Sequence, residues 1–112
     1  MIFHIAHVID WVEAVDRGEY RVASLDSEGF IHLSRRGQVL ATAGRYYRGV
    51  DDLMLLAVDE AQLDPALLRF ELSTGGEAFP HYYAGLPVGA VRGAPMFVAG
   101  ADGEFLWPSE LA

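Results

Sequence analysis

Hydrophobic positions along this chain fall into short runs, and the spacing inside each run indicates an element. Ile2 to His7 alternates loosely and predicts a first strand, with His4 near its middle. Trp11, Val12 and Val15 then form an apolar stripe. Asp10 and Glu13 stand at the spacing of a capping box and Gly18 follows, so Asp10 to Arg17 is expected to be a short helix. Tyr20 to Ser27 is less regular. The hydroxyls and carboxylate of Ser24-Leu25-Asp26-Ser27 favour a loop or a single helical turn. Phe30 to Leu33 is short, aromatic and β-branched, which predicts a buried strand. Ser34 stands where that strand would give way to a helix, at a preferred N-cap position. Val39, Leu40, Ala43, Tyr46 and Tyr47 then recur at helical spacing, so Gly37 to Arg48 reads as the main helix, ended by Gly49.

The second half of the chain reads as strands. Leu53 to Val58 is a nearly continuous apolar run, the pattern of a strand covered on both faces. After a polar connection from Asp59 to Pro65, Leu67 to Leu72 is the next strand, with Arg69 and Glu71 two apart and so on one face. Ser73 to Glu77 is a glycine-bearing loop. Phe79-Pro80-His81-Tyr82-Tyr83 is dense in aromatic rings and interrupted by proline, and Gly85 and Pro87 make a turn. Ala90 to Arg92 and Met96 to Ala99 read as short strands. Ala101-Asp102-Gly103 is a hairpin turn before a returning strand from Phe105 to Trp107. Helices early and short strands late predict an α+β domain. Its sheet is expected to be bent or split and mainly antiparallel, with about five to seven short strands and two or three helices.

Length and composition narrow the function classes. The 112 residues suit a single domain over positions 1–112, and a hydrophobic content of 52% is enough for a real core. There is no cysteine, which excludes disulfides, thiolate metal sites and a cysteine nucleophile and fits a cytoplasmic chain. No apolar run is long enough for a membrane span, and Met1 to Val8 has neither the basic leader nor the cleavage site of a signal peptide. The formal net charge of −8 argues against nucleic acid as a partner. Every basic side chain apart from the histidines is an arginine, and Arg35, Arg36, Arg45 and Arg48 cluster. Arginine suits forked recognition of phosphate or carboxylate. A solvated helix face is the simpler reading of the cluster, with an anion site beside the Arg35–Arg36 pair as the functional one.

Four histidines, His4, His7, His32 and His81, are the main candidates for chemistry. Imidazole suits zinc and iron, but no pair has the close helical spacing of a metal motif, so no metal is expected. A polar group inside an apolar strand needs a partner or a site. His4 and His32 both meet that description, and His32 is expected to be buried with its ring toward the same cleft as His4. The Phe79 to Tyr83 segment reads either as an aromatic plug closing the sheet or as a pocket wall in which His81 supplies a polar contact. Ser24 and Ser34 could act as nucleophiles only beside a base, and no Gly-x-Ser-x-Gly elbow occurs. Neither Gly-x-Gly-x-x-Gly nor a Walker loop is present, which excludes Rossmann and P-loop nucleotide sites at the motif level.

Across almost its whole length the chain resembles a small bacterial family, the domain-of-unknown-function family numbered 952. The resemblance rests on Phe3-His4-Ile5, Trp11, Ala14, Ser24-Leu25, Glu28-Gly29-Phe30-Ile31-His32-Leu33-Ser34, Gln38-Val39, Leu55-Leu56, Glu71 and Phe79-Pro80-His81-Tyr82-Tyr83. A first-strand histidine followed by a His-Leu-Ser strand end is, more distantly, similar to the ADP-ribosyltransferase fold, in the branch containing RNA 2′-phosphotransferases. That fold grips NAD between two half-sheets without a Rossmann motif. The resemblance implies that His4 holds a ribose, that His32 and Ser34 frame the nicotinamide, and that Glu71 is the best match for the acid on a later strand. The arginine set of the phosphotransferases is not clearly reproduced, although Arg35 and Arg36 lie close by.

The functional expectation is therefore a cytoplasmic domain that binds NAD or an adenine nucleotide and acts as an ADP-ribosyl- or phospho-transferase. His32 and Glu71 are the catalytic candidates. His4, Ser24, Ser34, Arg35, His81 and Tyr83 are the cofactor-binding candidates. Two other readings stand beside it: a non-catalytic ligand-binding or interaction module, and a metal-dependent hydrolase built on the histidines. The expected partner is a small-molecule nucleotide, not a membrane.

Overall fold

A computed structural model describes residues 1–112. The chain forms β1 (Ile2–His7), α1 (Val8–Arg17), β2 (Glu19–Tyr20), α2 (Ala23–Ser27) and β3 (Ile31–His32). After a 3₁₀ turn come α3 (Val39–Tyr46), β4 (Leu53–Val58), β5 (Leu68–Leu72), β6 (Ala78–Tyr82), β7 (Leu86–Pro87), β8 (Val91–Gly93) and β9 (Met96–Phe97). The class is α+β, and every strand pairing is antiparallel. Nine strands divide among three sheets: β1-β4-β8 with β9 also on β4, the pair β2-β7, and β3-β6-β5. The split is more complete than the sequence pattern indicates, because several strands are only two residues long.

β4 is the centre of the molecule. Its side chains alternate between two cores, as its continuous apolar run requires. Leu56 and Val58 join Ile2, Ala6, Ala14, Tyr20, Ile31, Tyr82 and Leu86 on one side. Leu53, Leu55 and Ala57 join Phe3, Ile5, Val39, Ala43, Phe97 and Phe105 on the other. Burying one such aliphatic side chain contributes roughly 1.5–3 kcal/mol. α1 and β2 close the first core, and α3 closes the second.

Three local expectations are corrected. α1 begins at Val8 with His7 as its N-cap and no side-chain cap, so Asp10 lies in the first turn and makes no capping box. The far end follows the pattern: Gly18 takes φ 85° and its amide bonds the Ala14 carbonyl. Ser34 is no N-cap either. It forms an antiparallel bridge with Phe3, through Phe3 N–H to Ser34 O at 2.8 Å and Ser34 N–H to Phe3 O at 2.7 Å. The N-cap role falls to Arg35, whose amide is bonded by the Gln38 side-chain oxygen at 2.9 Å. Gln38 is buried and also donates to Glu77 and to the Ala78 carbonyl, which ties this turn to the start of β6.

Candidate functional site

The small sheet β3-β6-β5 has one face on the core and one open. Ile31, Leu33, Pro80 and Tyr82 are buried. Alternation then turns their neighbours outward. Ile31 pairs with Tyr82, His32 with His81, and Arg69 with His81, so His32, His81 and Arg69 form one cross-strand row. Phe30 and Tyr83 flank that row, and Glu71 lies two residues along β5 from Arg69. Pro80 sits in the middle strand of this sheet, where a missing N–H would normally break the ladder. Its carbonyl still accepts from Leu33 N–H at 2.9 Å, at the point where β3 ends.

The open face carries connected chemistry. The Glu71 carboxylate oxygen Oε1 accepts from His81 Nδ1–H at 2.8 Å and from Tyr83 O–H at 2.5 Å. Oε2 of Glu71 takes no hydrogen bond from the protein. The Tyr83 hydroxyl, and then the His81 ring, hold the Glu71 carboxyl below the usual carboxylate range, and the same bond raises the Tyr83 phenol. Glu71 is therefore a persistent anion and a poor general acid. Because Nδ1 of His81 donates, its Nε2 carries the lone pair. A second carboxylate–imidazole pair lies alongside, His32 Nε2–H to Glu28 Oε2 at 3.0 Å, leaving the lone pair on Nδ1. Phe30 packs flat against His81 at 4.1 Å between centroids, with 18° between the planes, and lies 4.7 Å from His32. The guanidinium of Arg69 sits 5.0 Å over the Tyr83 ring. The face is open: the His32 side chain is 54% exposed and that of Glu71 37%. Two hollows of about 410 and 400 Å³ lie elsewhere, one beside α1 at His7, Val8, Ile9 and Val12, the other at Met1, Arg36 and Arg92. The titratable cluster, not these hollows, is the candidate site, since the hollows bring together no interacting acid–base pair comparable to Glu71, His81 and Tyr83.

The expected site residues divide. His32, Glu71, His81 and Tyr83 come together on the open face. His4 does not join them. Its ring is buried on the other side of β3, where Nδ1–H donates to the His32 carbonyl at 2.6 Å and Nε2 accepts from the buried Tyr20 hydroxyl at 2.8 Å. Burial pushes the His4 pKa down to about 4, so the ring is neutral and both its nitrogens are engaged. The expectation of a buried His32 sharing a cleft with His4 is thus corrected: His32 points to solvent because Ile31 and Leu33 take the core positions. Ser34 is buried in its bridge to Phe3, and the Ser24 hydroxyl donates to the Phe30 carbonyl at 2.7 Å, so both serines support the loop instead of facing a ligand.

Arg35 lies over Phe70, on a ring that alternates away from the open face. Arg36 lies over Trp107 and donates to the Ala112 carbonyl. Arg45 lies over Tyr46, and Arg48 pairs with Glu104 at 2.9 Å. These four cations go to four separate partners, so the expected anion site beside Arg35 and Arg36 is not built as a cluster. The residues the sequence reading missed on the open face are Phe30, Glu28 and Arg69. Alternation from the buried Ile31 would have found Phe30, and pairing with the Glu71 face would have found Arg69. Nothing local marks Glu28.

The family described as "Protein of unknown function (DUF952)" matches residues 5–94. Protein CC0527 from Caulobacter crescentus is similar in structure. Its X-ray crystal structure is 36% identical, with a TM-score of 0.85, over 94% of this chain and 92% of that one. Its solution NMR structure gives 38% identity and a TM-score of 0.80 over 92% of this chain and 89% of that one. No curated protein matches the chain.

Proposed function

The chain belongs to the DUF952 family, and from that premise we propose that its open sheet face binds a ribose-bearing nucleotide, NAD or an adenine nucleotide. The observation that carries the reading is Glu71. One of its oxygens is held by His81 and Tyr83, and the other is free to accept from a sugar hydroxyl. A carboxylate locked in its charged form is also the group that would stabilise positive charge developing on a ribose as a nicotinamide departs with the electron pair of its bond. Arg69 is the cation on this face and would meet the phosphates. Tyr83 and Phe30 provide ring surface for a base. In this scheme His4 and Ser34, which the resemblance would place against the ligand, instead hold the strands under it. His32 and His81 keep their places at the ligand, and Ser24 and Arg35 do not.

The net charge of −8 opposes an anionic dinucleotide, so binding is weak, in the range of about −8 to −4 kcal/mol, micromolar to millimolar. Calorimetric titration of NAD and of an adenine nucleotide into the native protein and the Glu71→Gln variant tests the reading. Heat with the native protein that falls at least about tenfold in affinity in the variant supports it. No heat at millimolar nucleotide overturns it. A nicotinamide-release assay on the same samples separates transferase from binding module: release that is lost in Glu71→Gln marks a transferase, and binding without release marks a module.

A further inference from the structure

We infer that His32 and His81 form a two-histidine chelate for a divalent metal of the zinc–copper class. The two residues face each other directly across the β3–β6 ladder. Opposed residues of an antiparallel pair hold their Cβ atoms about 4.5–5.5 Å apart, which is within reach of one shared ion. Their ring centroids are 5.3 Å apart with 73° between the planes. With metal–nitrogen bonds of about 2.0–2.1 Å and tetrahedral angles, two imidazoles on one ion place their centroids about 5 Å apart. The observed spacing is already close to that of a loaded pair.

Hydrogen-bond geometry points the same way. Each ring gives one N–H to a carboxylate: His32 Nε2–H to Glu28, and His81 Nδ1–H to Glu71. The remaining nitrogens, Nδ1 of His32 and Nε2 of His81, are engaged by no protein hydrogen bond and are the atoms that would bind the ion. A carboxylate behind each imidazole is the arrangement that orients metal-bound histidines and raises their basicity. Phe30, stacked on His81, holds that ring in place, while the His32 side chain is 54% exposed and open to an ion from solvent. No third histidine, cysteine or carboxylate completes a ligand set. The remaining coordination positions would therefore carry water or oxygens of a bound ligand. Imidazole donors without thiolates favour zinc and copper(II) over magnesium and calcium. The sequence spacing alone predicts no metal, because the two histidines meet only through strand pairing. The inference does not depend on the nucleotide reading.

The test is calorimetric titration of Zn²⁺ alone into the purified, metal-stripped protein, repeated with Cu²⁺ followed by electron paramagnetic resonance. One ion per chain is expected, with two nitrogen ligands in the copper spectrum. His32→Ala and His81→Ala should each weaken binding at least about tenfold, while His7→Ala, which removes another exposed imidazole, leaves it unchanged. Glu28→Gln and Glu71→Gln should each weaken it about 10–100-fold. That loss is the one expected where each carboxylate is bonded to one of the two rings and orients it. Circular dichroism of each variant confirms that the fold is kept. No binding at millimolar metal, several ions per chain without a dominant site, or binding indifferent to His32, His81 or both carboxylates would overturn the inference.

Discussion

Lowering the pH from 7 to 5 is expected to destabilise the protein by about 2 kcal/mol through His4. In the folded chain the His4 pKa lies at about 4, against 6.5 for a free imidazole, because burial disfavours the cation. Below pH 6.5 the unfolded chain takes up a proton that the folded chain refuses until about pH 4. The unfolded state is therefore favoured as the pH falls through this window, and stability rises with pH until it levels off near 7. The whole difference, 6.5 − 4, is worth about 3 kcal/mol at about 1.36 kcal/mol per pH unit. At pH 5 about 2 kcal/mol of this is already lost, since the unfolded imidazole is then nearly all protonated and the folded one nearly all neutral.

Urea unfolding at pH 7.5 and pH 5, on the native protein and on His4→Gln, reads the effect. Glutamine offers a donor and an acceptor but does not titrate. Glu71, whose carboxyl is held low and so also stabilises less as the pH falls, is present in both proteins and cancels in the comparison. The native protein should lose about 2 kcal/mol more than the variant between the two pH values. Equal losses refute the reasoning. If the variant does not fold, the His4 imidazole can be followed by NMR in the native protein, where a midpoint near 6.5 instead of 4 refutes it equally.

Three further outcomes follow from the same structure. Tyr20→Phe removes the hydroxyl that donates to His4 Nε2 and leaves a buried acceptor unmet, so it should lower the unfolding free energy by roughly 1–3 kcal/mol in urea. Leu55→Ala, at a fully buried position facing the α3 side of β4, should cost about 2–5 kcal/mol by calorimetric or chemical unfolding, and a loss below 1 kcal/mol would mean that this core is not packed as described. Arg48→Ala breaks an exposed pair with Glu104 and should change stability by no more than about 1 kcal/mol, a difference that shrinks further in high salt.

Much of the scaffold is legible in the residues themselves. Leu53 to Val58 has six apolar residues in a row, and no helix-breaking or turn residue interrupts it, so its bounds are read correctly from pattern alone. Gly18 likewise ends α1 where a left-handed residue is needed. Errors arise where a long-range partner overrides a local signal. Ser34 is an apt cap by type, but Phe3, far away in sequence, pairs with its backbone instead. Asp10 is set aside because α1 starts directly from the end of β1. His32 departs from expectation for a different reason. In Phe30-Ile31-His32-Leu33 every residue but one is apolar, yet strand parity buries only Ile31 and Leu33. The same parity divides Phe79 to Tyr83: Pro80 and Tyr82 face the core, while His81 and Tyr83 face out onto the open side of the sheet. The meeting of Glu71 with His81 and Tyr83 depends on the β5–β6 register, which residue types do not reveal.

The central position of β4 also has a consequence for synthesis. Its partner β1 is synthesised well before it, and the pairing joins residues 46 apart at one end, His7 with Leu53, and 56 apart at the other, Ile2 with Val58. Everything from β1 through α3 must emerge before β1 meets β4, and β8 and β9 arrive later still. Because β4 forms a wall of both cores, neither core closes on the nascent chain until then. Such non-local pairing folds slowly and leaves apolar strands uncovered meanwhile. Ile2-Phe3-His4-Ile5-Ala6 is therefore the segment most exposed to chaperone capture or to misassociation between neighbouring nascent chains.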